Sequence, residues 1–214
     1  IELEDLKTQT IDKKRFYETP EGELYPSITT VLSVRNKKGL FEWRKRVGDD
    51  VANYVARTAA NRGTAVHHMC EDYLNNDFDE EKHKKKFLPY CLFKQLAKET
   101  LDNVDNIHAQ ECGLYSDKYK VAGRVDCIAE YKGKLSIIDF KTSSKQKKEE
   151  WILKYFLQTT AYSIMWEEAT GEKVDQIVVL ITAEDGSREE YIRNKQDYIQ
   201  ELHKVIESFN NATV

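Results

Sequence analysis

The spacing of apolar and polar residues changes period three times along the chain. Arg15-Phe16-Tyr17 and Leu24-Tyr25 flank Pro20-Glu21-Gly22, a turn sequence, so the N-terminal part reads as a β-hairpin, with Ser27 or Thr29 placed to cap the next element. Residues 40–76 are helical in pattern. Phe41, Val47, Val51, Tyr54 and Val55 predict one helix, and Ala65, Val66, Met69, Cys70 and Tyr73 a second, with a break expected at Asn61-Arg62-Gly63. Another helix is expected within 83–104 on Tyr90, Cys91, Phe93, Leu96 and Leu101, with Pro89 in its first turn, where a missing N–H does no harm.

The middle of the chain then alternates. NIHAQECGLYS, YKVAGRVDCIAEY and KLSIIDFKTS read as three strands, the last two joined at Lys132-Gly133-Lys134. Residues 149–169 return to helix, with Ile152, Phe156, Thr159 and Ser163 on one stripe. VDQIVVLITAE and REEYIRN predict two more strands, and 195–210 a closing helix. Helices, a strand meander and a helical crossover to further strands imply an α/β fold with a mixed central sheet flanked by helices. With three prolines and no Gly/Ser-rich linker, residues 1–214 read as one domain: an N-terminal hairpin region (1–39), a helical region (40–104) and a core (105–214).

Composition narrows the function classes. The chain is 40% hydrophobic and 33% charged, with a net charge of −4, which argues against a broad basic face for nonspecific nucleic-acid binding. Lysine and arginine still cluster at Arg44-Lys45-Arg46, Lys82 with Lys84-Lys85-Lys86, and Lys145 with Lys147-Lys148; each cluster is a solvated face or part of a local channel. No apolar run approaches the roughly 18 residues of a membrane span. Neither a signal peptide nor an Arg-rich transit segment is read, and a reducing cytoplasm is the simpler setting for the four scattered cysteines. Without a C-x-x-C pair, zinc-ribbon and iron–sulfur spacings are not expected, and without G-x-x-x-x-G-K-[ST] no nucleotide cofactor is expected.

Two carboxylates interrupt the strands. Asp139 and Lys141 are two residues apart, so they share a face about 6.5–7 Å apart while Phe140 points the other way. Strict alternation puts Asp126 on one face with Arg124 and Ile128. If the two strands pair, Asp126 and Asp139 converge, and such carboxylates repel unless a cation or a proton lies between them. Oxygen ligation of that kind suits Mg²⁺ or Mn²⁺. The plain structural alternative is a buried Asp139–Lys141 ion pair with Asp126 capping a strand end. His67 and Glu71, four apart on a helix, and Gln158 and Tyr162, likewise four apart, offer further polar groups facing one way.

Gly63-Thr64-x-x-His67, Gly123-x-x-Asp126, Asp139-x-Lys141-Thr142 and Gln158-x-x-x-Tyr162, in this order, resemble the PD-(D/E)XK nuclease superfamily in its RecB-like branch. YPSITTVL, LFEWRKRVG and RTAANRGTAVHHMCEDYL also look like phage exonucleases and mitochondrial genome maintenance exonucleases, and the resemblance spans about residues 15–170. It implies a restriction-endonuclease-like core with a helical gate. It also implies a metal-dependent deoxyribonuclease acting on DNA, with single-stranded ends preferred, in phage or genome-maintenance DNA processing. Asp126, Asp139 and the Phe140 carbonyl would hold one or two Mg²⁺ or Mn²⁺ ions, His67 would add a ligand, Glu111 would serve a second ion, and Lys141 would be the catalytic lysine.

Gln158, Tyr162 and Thr142 would support the site and the strand, with Gly63, Thr64 and Glu71 around them. Ser27, Thr29 and Arg44 would contact phosphates, and Trp43, Tyr54 and Tyr73 would stack bases unless they belong to the core. The lack of cysteines after Cys127 implies no iron–sulfur cluster of the kind some relatives carry. The resemblance implies a stand-alone enzyme in a bacterial cytoplasm, or alternatively in mitochondria. Four readings compete with it: a duplex-specific recombination exonuclease of the phage lambda type, a structure-selective endonuclease, a non-catalytic nucleic-acid-binding module with a nuclease fold, and a metabolic metalloenzyme using His67, Asp126 and Asp139.

Overall fold

A computed structural model describes residues 3–212, and the side chains of all of these except residues 35–37. The N-terminal part is a three-stranded antiparallel sheet of β1 (Lys7–Ile11), β2 (Lys14–Glu18) and β3 (Leu24–Pro26). β2 and β3 form the expected hairpin. β1 carries no periodic signal, because all five residues of KTQTI are exposed. It joins β2 through Asp12 and Lys13, both left-handed (φ 49° and 63°), a two-residue turn whose twist suits antiparallel strands.

Helix α1 (Ile28–Leu32) starts at Ser27, whose hydroxyl accepts from the Thr30 N–H at 3.1 Å. Helices α2 (Lys37–Val47) and α3 (Asp49–Leu74) come after it, separated at Gly48, which takes φ 86°. The break expected at residues 61–63 does not occur: α3 runs unbroken for 26 residues. A helical glycine costs only about 1 kcal/mol relative to alanine, and here Ala65, Val66, Met69 and Cys70 bury the α3 face that holds it in place. α4 (Glu80–Lys84) and α5 (Phe87–Ala97) come next, with Pro89 in the first turn of α5 as expected.

The central sheet has five strands in chain order: β4 (Val104–Ser116), β5 (Val121–Tyr131), β6 (Lys134–Ser143), β7 (Gln176–Ala183) and β8 (Arg188–Asn194). β6 and β7 are parallel and the other pairs antiparallel, so the sheet is mixed. The parallel pair requires a crossover, supplied by α6 (Leu153–Thr170), and α7 (Ile199–Asn211) closes the chain. On one side of the sheet Val125, Ile128, Ile137 and Val179 pack with α1, α6 and α7. On the other, Cys127, Ile138, Phe140, Val178 and Leu180 pack with α3 and α5. The N-terminal sheet adjoins β5 through Tyr17, Tyr25 and Ala122. Among the described residues, no helix is long and apolar enough to cross a membrane.

Candidate active site

The sheet forks where the two aspartates lie. Pairing of β5 with β6 runs from Tyr131↔Lys134 only as far as Cys127↔Ile138. Beyond that point β5 pairs with β4 and β6 with β7. Asp126 and Asp139, next in the same register, stand at the fork. There the Phe140 N–H donates to Asp126 Oδ2 at 2.8 Å, and His67 Nε2 lies 2.7 Å from the Phe140 carbonyl oxygen. One carboxylate and one imidazole thus engage the backbone where the strands separate.

The expected shared face of Asp126 and Ile128 is not found. Val125 and Ile128 pack on the α6 side and Cys127 on the α3 side, so alternation slips at Asp126. Glu111 on β4 marks the same irregularity: it is left-handed (φ 45°) and lies between the pairs Gln110↔Cys127 and Cys112↔Val125. A left-handed non-glycine residue costs roughly 1–2 kcal/mol, and strain of this kind concentrates at functional sites.

The irregularity brings His67 of α3, Glu111 of β4 and Asp126 of β5 together, with one ligand atom from each within 4.8 Å of the others. His67 Nδ1 is 3.3 Å from Asp126 Oδ1, and Arg124 Nε donates to Glu111 Oε2 at 3.2 Å. Asp139 stands outside this trio. Its buried Oδ2 pairs with the Lys141 ammonium at 2.8 Å. Lys141 Nζ also donates to Gln158 Oε1 at 3.1 Å, and Gln158 Nε2 donates to the Tyr162 hydroxyl at 2.9 Å. Lys141 lies 5.1 Å from the centroid of the Tyr155 ring.

Three acids, Asp126, Asp139 and Glu111, lie close together here with His67, Lys141 and Arg124, and the proton affinities reflect it. Burial opposes charge on His67, but Asp126, by charge and hydrogen bond, and Asp139 outweigh it and push the imidazole up to about 9. Burial and the nearby Asp126 charge push Glu111 up to about 7. Asp139 is raised by burial and by Asp126 against the pull of Lys141, whereas His67, Lys141 and the Phe140 N–H overcome burial to hold Asp126 low. Burial opposes charge on Lys141 too, but Asp139 and Asp126 outweigh it and raise its affinity for the proton.

An imidazole nitrogen, carboxylate oxygens from three strands and an adjacent backbone carbonyl are a donor set that fits a divalent cation. The donors fit the group.

Gln158 and Tyr162 face the site as their spacing implied, but from within: they are 7% and 2% exposed. Gln158 accepts from Lys141 and is itself bonded to Tyr162, and both present little surface to solvent. Tyr162 also explains Gly123, because a Cβ there would lie 2.6 Å from Tyr162 Cε1. A Cβ on Gly63 would lie an ordinary 3.5 Å from Thr142 Oγ1, which accepts from Arg62 Nε at 3.3 Å. Of the expected phosphate contacts, the Ser27 hydroxyl is buried and accepts from the Thr30 N–H, Arg44 donates to Asp49 and Asn53 at the surface, and Thr29 is exposed.

Tyr73 is fixed by Asp102 between Phe78 and Phe93, Trp43 is half-buried and Tyr54 is exposed. A pocket of about 490 Å³ opens on the trio, lined also by Arg15, Thr64, His68, Glu71 and Arg124. Arg15, Arg124 and His68 carry no motif signal. They line the site only because the N-terminal sheet, β5 and α3 meet there.

This fork, with D-x-K on its inner strand, defines a nuclease core, and residues 38–213 match the PD-(D/E)XK nuclease superfamily. The chain belongs to that superfamily. It is similar to mitochondrial genome maintenance exonuclease 1 of Mus musculus, 30% identical over 134 residues covering 57% of this chain and 38% of that protein. The Homo sapiens protein of the same name is 27% identical over 135 residues, covering 59% of this chain and 39% of that protein. The Xenopus tropicalis protein is 28% identical over 177 residues, covering 76% and 49%. The matched part therefore spans about two-fifths to half the length of these relatives. A solved structure from Eubacterium rectale superposes with a TM-score of 0.48 at 13% identity, over 72% of this chain and 69% of that one.

Proposed function

We propose that the chain is a divalent-metal-dependent deoxyribonuclease, an exonuclease that hydrolyses phosphodiester bonds from single-stranded DNA ends. The observation that carries this is the meeting of His67, Glu111 and Asp126 beside the Asp139–Lys141 pair at the fork. Asp126, Asp139, Glu111, His67 and the Phe140 carbonyl would hold Mg²⁺ or Mn²⁺. Such an ion polarises the phosphodiester and lowers the pKa of a water it binds.

The chain's own groups do the rest. Lys141, fixed between Asp139 and Gln158, presents an ammonium that orients the attacking water and offsets charge growing on the phosphate. Arg15 and Arg124 line the pocket and favour the anionic strand. His67 and Asp126 hold the Phe140 backbone, so the donors stay in register as charge develops.

DNA as substrate, action from an end and a mitochondrial setting in preference to a bacterial cytoplasm draw support from the names of the relatives. Single-strand preference rests on the resemblance to the exonuclease branch. Digestion of end-labelled single-stranded, blunt duplex and covalently closed circular DNA with Mg²⁺, Mn²⁺ or EDTA tests the proposal. Single strands shorten with either ion, circles persist and EDTA stops the reaction. Asp139→Ala and Lys141→Ala abolish cleavage at a temperature where melting curves show each variant still folded. Preference for blunt duplex with a ring oligomer on gel filtration selects the lambda-type reading. Wild-type activity in either variant removes that residue from the mechanism.

A further inference from the structure

A second, larger cleft lies across α3 from the catalytic pocket. Its volume is about 790 Å³, and Thr58, Arg62, His68, Lys82, Lys86 and Phe87 line it where α3 meets α4 and the start of α5. Successive helical residues turn by about 100°, so Thr58, nine residues before His67, points to the opposite side of α3. Thr64 and His68, one turn apart, line both cavities and form the saddle between them.

The lining is cationic and carries an unpacked ring. Phe87 is 75% exposed at the first position of α5. Lys82 and Lys86 form no ion pair with a described residue, whereas Lys84, outside the cleft, is held by Glu80 and Glu81. Arg62 is anchored to Glu184 at 2.5 Å. The acid in the lining, Asp72, is already engaged by His83 Nε2 at 2.8 Å. The same face of α3 runs on as an exposed stripe of Val51, Tyr54 and Val55, at helical spacing with Thr58. Unpaired lysines beside an exposed aromatic ring, continuous with a catalytic pocket, are the features by which proteins hold single-stranded nucleic acid.

We propose that this cleft is a second strand-binding site, which grips nucleotides several positions from the scissile phosphate after the strand crosses the Thr64–His68 saddle. Phe87 stacks on a base, and Lys82 and Lys86 meet phosphates. This rests on the nuclease reading above, but its test does not use cleavage. Fluorescent dT20 and dT4 are titrated into the protein in EDTA at several salt concentrations.

Phe87→Ala weakens dT20 binding at least about fivefold, and Phe87→Trp restores it. Lys82→Gln/Lys86→Gln lowers the slope of log affinity against log salt by about 1.4. The control Lys134→Gln/Lys204→Gln, on exposed lysines outside the cleft, keeps the wild-type slope. Wild-type protein holds dT4, too short to reach across the saddle, far more weakly than dT20.

Melting curves confirm that each variant is folded. Wild-type dT20 affinity in both cleft variants overturns the proposal and leaves the cleft to a protein partner. Equal loss in the control lysine pair also overturns it, since any surface charge would then serve. If the digestion succeeds while these variants bind normally, the cleft assignment fails alone. If wild-type protein neither cuts nor binds DNA, the nuclease reading fails with it.

Discussion

Replacing Gly123 by alanine tests the chain of contacts that sets Lys141. The added Cβ would lie 2.6 Å from Tyr162 Cε1 and 3.2 Å from its hydroxyl. Carbon atoms sit comfortably at about 3.5–4.0 Å, so the ring must retreat by roughly 1 Å. Tyr162 is 2% exposed in the α6 core beside Met165 and Trp166, and has little room to do so. Overpacking of this kind costs about 1–3 kcal/mol, which for a chain of this size lowers Tm by about 2–12 °C.

The displacement also propagates. The Tyr162 hydroxyl accepts from Gln158, and Gln158 accepts from Lys141. Misplacing a catalytic group by about 1 Å costs up to roughly 10² in rate. The assay pairs thermal melts with single-turnover hydrolysis for Gly123→Ala, Tyr162→Ala and the double variant. With the ring removed, Gly123→Ala should cost less than about 0.5 kcal/mol. A cost equal on both backgrounds, within the roughly 0.5 kcal/mol by which independent sites add, would refute the reasoning.

The site sets three further outcomes. Lys141→Met strands the buried Asp139 carboxylate and Asp139→Asn the ammonium. Each destabilises the metal-free protein by up to about 3–5 kcal/mol, the double variant by less than their sum, and an additive denaturation series would contradict the pairing. Divalent-ion affinity, measured by calorimetry, should rise with pH from 6.5 to 8.5: protons held by His67 up to about 9 and by Glu111 up to about 7 compete with the ion until pH passes those values. Flat affinity would exclude both as ligands. Ser27→Ala should lose about 0.5–2 kcal/mol of stability through the α1 cap while hydrolysis per folded molecule holds; a larger rate loss would return Ser27 to the phosphate path.

The strands β4 to β8 and the crossover helix α6 were legible because their apolar runs change period cleanly and are bounded by turns such as Lys132-Gly133, both left-handed. The helix boundary was misplaced because glycine signals a break equally at 48 and 63. Only packing of the α3 face decides between them. D-x-K gave the Asp139–Lys141 face correctly, since two-residue spacing within one strand is local. The direction of Asp126 was not legible, because it depends on Glu111, a residue on another strand in a conformation its type rarely adopts. Spacing aligned Gln158 with Tyr162 but carried no information on their burial, which is set by the packing of α6. The cleft at Phe87 had no sequence signature, since α3, α4 and α5 meet there only in the folded chain.

Crystals soaked in Mn²⁺ and measured at its absorption edge test the central claim most directly. An anomalous peak is expected at the fork, within coordination distance of Asp126 and Asp139 oxygens and the Phe140 carbonyl, and none there in Asp126→Ala. A peak elsewhere, or a fork without manganese while Asp139 remains paired only with Lys141, would contradict it.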